Sequence, residues 1–348
     1  MQFGLFSNGQ RRNKIARTTY LEDLDEVVLA DELGMREAWL SEHGTFVAFQ
    51  APDQLANADL FICKAIERTK QIRLGPGIRP LPFFHPLQVA TDAATCDHLC
   101  DGRYMAGWGL GIGNGDGQRG AVQAANQREM MREAIDIILK AWTTEGRFDF
   151  EGKFWQGKRW HVIPKPLTKP RMDVGIACSR SDSTLELCAE YDFFPLLSWT
   201  PTQEQMKQMM LSYLNAPKAK APDRRKIRAS RFIYVADSRA AAKKELKDAD
   251  VLSLVKSGRL DAQIRPGETR DDMTMDKLID RGAFFCGDAA SVYEQCKNFW
   301  EETGGFGVFL LMAGKDWGTN EQRARSMREF MTVVAPRLQK LDTLAKAA

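Results

Sequence analysis

The chain is 348 residues long, with 44% hydrophobic and 27% charged residues, the balance of a globular protein able to bury a large core. Its 49 basic and 46 acidic side chains leave a net charge of +3, with the two signs interspersed, so no nucleic-acid partner is expected. No apolar run approaches the ~20 residues that cross a bilayer, and no membrane association is expected.

Short apolar runs alternate with longer amphipathic segments from end to end. Runs at residues 2–6, 37–40, 72–77, 104–110, 172–178, 193–199, 231–236 and 307–312 read as strands. Between them, helical periodicity covers residues 20–33, 87–99, 128–142, 183–191, 202–214 and 289–303. Ser183 and Asp288 are N-cap candidates, and Gly304 and Gly305 end the last of these helices. Eight strand–helix units in alternation predict a parallel sheet, and eight is the number that closes. The expected fold is therefore an α/β class (β/α)8 TIM barrel, one domain over residues 1–348. An open doubly wound sheet is the alternative, but no GxGxxG follows the first strand.

Two loop insertions interrupt the alternation, one at about residues 113–127 after strand 4 and one at about 250–283 before the last helix. Barrel chemistry sits at the C-terminal ends of the strands, so loops of this length are candidate lids. The one basic cluster, residues 218–231, has few aromatic neighbours and reads as a solvated segment. The seven cysteines are odd in number and lie mostly in apolar stretches, which fits reduced thiols. With no basic leader or cleavage site at the N-terminus, a cytoplasmic location is expected. The four histidines form no HxxxH pattern, and no metal site is expected.

Two segments carry more specific information. Residues 85–111 read HPLQVATDAATCDHLCDGRYMAGWGLG, and the pair Glu42-His43 closes the second strand. These resemble the HP…A…A…D…GR…GxGxG block and the EH pair of the bacterial luciferase-like flavin-dependent monooxygenases. The stretches at 177–189 (ACSRSDSTLELCA) and 287–311 are similar to that family's turn after the fifth strand and its final helix and strand. Within the block, Pro86 suits a first helical turn, Arg103 is expected to pair with an acid such as Asp97, and the small side chains Ala90, Ala93, Ala94 and Cys96 permit close helix packing.

The resemblance implies a two-component monooxygenase. Reduced FMN from a separate flavin reductase would react with O2 to a C4a-peroxyflavin and oxygenate a small organic substrate. It also implies a homodimer. By the same resemblance the cofactor would lie against Gly77, Ile78, Trp108 and Gly109. Its phosphate would sit at Ser179, Arg180, Ser181 and Thr184, where hydroxyls and a helix N-terminus make an anion site. The family's arginine after the fourth strand is replaced here by Leu110, with Arg119 or Arg180 as substitutes, and Asp182 sits awkwardly in an anion turn. His43 is the catalytic candidate, since histidine changes charge near neutrality. His85 reads as a helix cap. Phe6, Asn8 and Trp199 are substrate-binding candidates, and Trp160 and His161 lie in a segment that either lines the mouth or decorates a loop. Two other functions are the alternatives: hydride transfer with the deazaflavin F420, or flavin binding without turnover.

Overall fold

The computed structural model describes residues 1–7, 15–42, 55–111, 126–179, 181–312 and 317–341. In chain order the elements are β1 (Gln2–Ser7), α1 (Ala16–Glu32), β2 (Glu37–Leu40), α2 (Ala58–Ile66), β3 (Arg73–Pro76), β4 (Arg79–Pro80), α3 (Pro86–Leu99), β5 (Ala106–Gly109) and α4 (Gln127–Thr143). There follow β6 (Phe148–Glu151), β7 (Gln156–Trp160), β8 (Val174–Cys178), α5 (Asp182–Tyr191), β9 (Phe194–Leu197), α6 (Gln203–Leu214), β10 (Arg228–Val235), α7 (Arg239–Leu246) and α8 (Asp248–Lys256). The last are α9 (Met275–Asp280), β11 (Phe284–Gly287), α10 (Ala289–Thr303), β12 (Val308–Met312), α11 (Asn320–Glu329) and α12 (Ala335–Leu341).

All eight expected strands form. With β4 and β11 they make one ten-stranded parallel sheet in the order β3-β2-β1-β12-β10-β9-β8-β5-β4, with β11 on β10. The ends approach closure where Leu74 bridges Tyr104, through Met105 N to Leu74 O at 2.8 Å and Leu74 N to Arg103 O at 3.0 Å. β4 continues β3 across the Gly77–Ile78 peptide, which is cis. The strands are short and buried, as a parallel sheet under helices requires, and this is why they read as apolar runs.

The inside of the barrel is organised around one indole. Trp39 on β2 is fully buried, and its ring lies where side chains would otherwise project from Gly75 on β3, Gly107 on β5 and Gly175 on β8. Its Nε1 donates to Glu37 Oε1 at 2.8 Å. Glu37 in turn accepts two bonds from Arg228 of β10, Nε at 3.0 Å and Nη2 at 3.1 Å. Arg228 also lies 3.6 Å from the centre of the Phe194 ring. Gly107 is the tightest of the three glycines: a Cβ there would stand 1.7 Å from the Pro76 carbonyl oxygen. Gly107→Ala is therefore expected to lower stability by about 1–3 kcal/mol, read as a lower denaturation midpoint at unchanged slope.

Two sequence expectations need correction. The basic cluster is only partly solvated, because Arg228 and Arg231 are buried in β10, which starts three residues earlier than its apolar run suggested. Arg231 donates to the carbonyls of Trp199, Pro201, Ser230 and Gly282 and packs over Phe299. Burial among neutral groups pulls its pKa down to about 9. Arg103 does not pair with Asp97. The turn at Gly102, with φ of +74°, sends it to the carbonyls of Ile66, Thr69 and Ile72 beyond the end of α2. Asp97 instead accepts from the amide and hydroxyl of Thr168.

The second insertion is a packed unit and not a bare loop. α8, α9 and β11 build a hydrophobic cluster of Val251, Val255, Leu260, Met275 and Leu278 on Phe232, Met312 and Trp317. β11 pairs with the C-terminal half of β10, above the short β9. Ion pairs of Glu268 with Lys277 and Arg281, and of Arg239 with Asp276, stitch its surface. The first insertion lies mostly outside the described residues. The segment at 148–160 forms the hairpin β6–β7, whose turn is held by Glu133 of α4 through the amides of Lys153, Phe154 and Trp155.

Candidate active site

The C-terminal ends of the strands face a floor made of small residues. Gly77 approaches Phe6, where an added Cβ would meet the ring at 3.1 Å. Gly109 approaches Ile78 at 2.8 Å and Ala177 at 3.6 Å in the same sense. Within β8, otherwise buried, Ala177 alone is exposed, and Ser179 just beyond it is exposed as well. Phe6, Gly77 and Ile78 are half-buried. This set makes a flat, apolar floor at the mouth of the barrel.

One wall is aromatic. Trp199, just past β9, packs 4.6 Å from Phe232, which stacks on Phe284 at 4.7 Å and meets Trp317 at 4.8 Å. Phe6 and Trp199 both touch the cluster built by the second insertion. The bonds from Arg231 to the Trp199 and Pro201 carbonyls fix this corner against Gly282 at the start of the β11 turn.

The neighbouring wall, past the end of β8, is polar. β8 ends at Cys178, and α5 begins at Asp182 with Ser181 as its N-cap. The first-turn amides of a helix have no partner within it, so they and the neighbouring hydroxyls present donors to an anion. Ser181 Oγ lies 2.8 Å from Ser183 Oγ. Arg128 of α4 donates to Ser183 Oγ at 2.7 Å and to Thr184 Oγ1 at 3.4 Å. A cation thus stands at this helix terminus. Asp182 is exposed in the first turn.

Beneath the floor, on its helix side, Arg79 follows Ile78 and is held by three acids, of which the Glu42 and Asp59 side chains are buried. It lies 2.9 Å from Asp59, 3.2 Å from Asp92 and 3.6 Å from Glu42. Tyr104 donates to Asp59 at 2.8 Å, and Ala58 N donates to Glu42 at 3.1 Å. Burial raises the Asp59 carboxyl despite the opposing pull of Arg79. The network clamps β4 to α2 and α3. Beside it lies a cavity of about 400 Å³ lined by Glu42, Ala56, Asn57, Arg79, Phe83 and Phe84.

The family model described as luciferase-like monooxygenase matches residues 1–307. The chain belongs to this family. The luciferase-like monooxygenases are oxidoreductases, and the chain is one of them. It is 26% identical over 328 residues to 4-hydroxyprotoasukamycin monooxygenase of Streptomyces nodosus subsp. asukaensis, covering 90% of this chain and 86% of that one. It is 26% identical over 257 residues to the oxygenase component of a flavin-dependent trigonelline monooxygenase of Acinetobacter baylyi, covering 72% and 69%. Among solved structures, the oxygenating constituent of 3,6-diketocamphane monooxygenase from Pseudomonas putida, in complex with FMN, superposes with a TM-score of 0.85. It is 24% identical, over 97% of this chain and 98% of that one, and shares the fold.

In this luciferase-like barrel, Phe6, Gly77, Ile78, Gly109 and Ser179 come together at the mouth, with Ser181 and Thr184 on the polar wall and Trp199 on the aromatic one. Trp108 does not join them. It faces outward, fully buried against Trp142 and Phe193, because interior positions on β5 fall to Gly107 and Gly109. His43, Asn8, Arg180 and Arg119 lie outside the described residues. His85 is a cap, accepting from Leu87 N through Nδ1 at 3.3 Å. Trp160 packs against Phe148, Phe150 and His85 in the hairpin region, and His161 is exposed. Sequence reading missed Arg128, which lies 55 residues before Ser183 and looks like any surface arginine of an amphipathic helix.

Proposed function

We propose that the protein is the oxygenase component of a two-component FMN-dependent monooxygenase, receiving reduced FMN from a separate flavin reductase and using O2 on a small apolar substrate. The observation that carries this reading is the pairing of a flat floor at Gly77, Ile78, Gly109 and Ala177 with an anion-ready wall at Ser179–Thr184 and Arg128. A planar ring system with a phosphate arm has those two requirements. When bound, the flavin supplies the oxygen-activating chemistry.

The protein's own residues would do the rest. Arg128, Ser183 and Thr184 bind the phosphate, and Arg180 adds a second cation at the same turn. Phe6, Trp199 and the insertion exclude water and present an apolar face to the substrate, with Asn8 as a polar contact. Glu42 is already engaged by Ala58 and Arg79, which leaves proton handling to the adjacent His43. A homodimer is part of the proposal. The Ala90, Ala93, Ala94 face of α3 is buried within the chain, so a partner would use other surfaces, and Leu60 and Leu99 are exposed on α2 and α3.

Anaerobic titration with reduced FMN, followed by mixing with O2, tests the reading. Binding of FMN, with a delayed return of oxidised-flavin absorbance, is the expected result. Absence of flavin binding overturns it, and selective binding of F420 moves the enzyme to hydride transfer. Arg128→Ala is expected to weaken FMN binding by about 10- to 100-fold, the worth of a charge-assisted hydrogen bond. Riboflavin, which lacks the phosphate, is expected to bind both proteins equally.

A further inference from the structure

Away from the mouth, three cysteines meet where α2 packs on α3. Cys63 Sγ lies 3.8 Å from Cys96 Sγ, and Cys100, the C-cap of α3, follows one turn after Cys96. Cys63 is half-buried, whereas Cys96 and Cys100 are buried. A thiol donor held against this sulfur favours its thiolate. Cys100 and Cys96 pull the Cys63 pKa down, and Cys63, with burial, pushes theirs up. The arrangement is an accessible nucleophilic sulfur with a second sulfur already at van der Waals contact.

We propose that Cys63 is a peroxide-sensitive modification site, resolved by Cys96 into an intramolecular disulfide that joins α2 to α3. The Cys63 thiolate attacks one oxygen of hydrogen peroxide; an S–O bond forms, the O–O bond breaks, and hydroxide leaves. Cys96 then attacks the resulting sulfenic sulfur; the S–S bond forms, the S–O bond breaks, and a second hydroxide leaves. With the protons of the two thiols, the products are one disulfide and two waters, and two electrons pass from sulfur to peroxide. The sulfurs must close from 3.8 Å to about 2.05 Å. The oxidant comes from solution, so the reaction is independent of the flavin reading.

The chain carries its own control. Cys178 on β8 and Cys188 on α5 also stand 3.8 Å apart, but both are buried and Cys188 is fully enclosed. If proximity alone governed oxidation, both pairs would respond; if access governs, only Cys63 would.

The intact protein is treated with hydrogen peroxide, unreacted thiols are alkylated after denaturation, and peptides are mapped without reduction. The expected result is a linked Cys63–Cys96 peptide, reversed by dithiothreitol, with Cys63 reacting at least about tenfold faster than Cys178. In Cys96→Ser, dimedone is expected to trap the sulfenic acid at Cys63. Equal oxidation of the Cys178–Cys188 pair, a bond from Cys63 to Cys100, or an unreacted Cys63 under peroxide that consumes free cysteine would each overturn the proposal. The wild-type map needs no variant to fold.

Discussion

Glu37→Ala is expected to destabilise the barrel by about 3–5 kcal/mol, the cost of leaving one partner of a buried ion pair unpaired. Glu37 is fully buried and accepts from three donors, Arg228 Nε, Arg228 Nη2 and Trp39 Nε1. Without it, Arg228 keeps its bond to the Lys226 carbonyl and its contact with Phe194, but its charge loses the carboxylate that faces it at the N-terminal end of the strands. Urea unfolding of the single variant measures the loss. The paired change Glu37→Leu with Arg228→Met removes both charges and is expected to recover most of it, because well-packed apolar side chains replace such pairs at little cost. A double variant as unstable as the single one would show that packing around Trp39, and not the unpaired charge, sets the penalty.

His43→Ala is expected to lower turnover by about 10²- to 10⁴-fold, the usual worth of a positioned acid–base group, while FMN binding changes little. The reason is partly one of elimination. Glu42, its neighbour, is tied to Ala58 and Arg79 on the helix side of the sheet, and the floor residues Gly77, Ile78, Gly109 and Ala177 carry no ionisable side chain. The pH–rate profile of the variant is also expected to lose its limb near neutrality, where histidine changes charge. Undiminished turnover with an unchanged profile would remove His43 from the chemistry. A loss of FMN binding in parallel would instead make it a cofactor contact.

The two variants probe parts of the molecule that differ in how visible they are in the amino-acid order. Strands such as Glu37–Leu40 and Val308–Met312 stand out because burial on both faces makes an unbroken apolar run. β10 was harder, since Arg228 and Arg231 look like solvent-facing residues until their partners, Glu37 far earlier in the chain and carbonyls in the turns after β9 and before β11, are known. β11 is four residues long and lies between the end of the second insertion and the last predicted helix, where no strand was expected. In the site, the Ser179–Thr184 turn is legible as a helix start from its run of small polar residues, although the N-cap is Ser181, with no side-chain cap bond, and not Ser183. Arg128 is not, because its role depends on how α4 and α5 lie beside each other. Trp108 shows the converse failure: a local pattern can place a residue on the right strand and still leave its facing to the glycines around it.

The packing of Trp39 against Gly75, Gly107 and Gly175 ties four strands to one choice of side-chain volume. These positions cannot drift singly. A side chain added at Gly175 meets only the indole and Leu196, so it gains room if the indole is given up, whereas Gly75 and Gly107 are closed by the Met105 and Pro76 carbonyls as well; a smaller residue at position 39 opens a void that growth at Gly175 can refill. The interior diameter of this barrel is thus a shared property of residues far apart in the sequence, and substitutions among them are expected to be tolerated in sets.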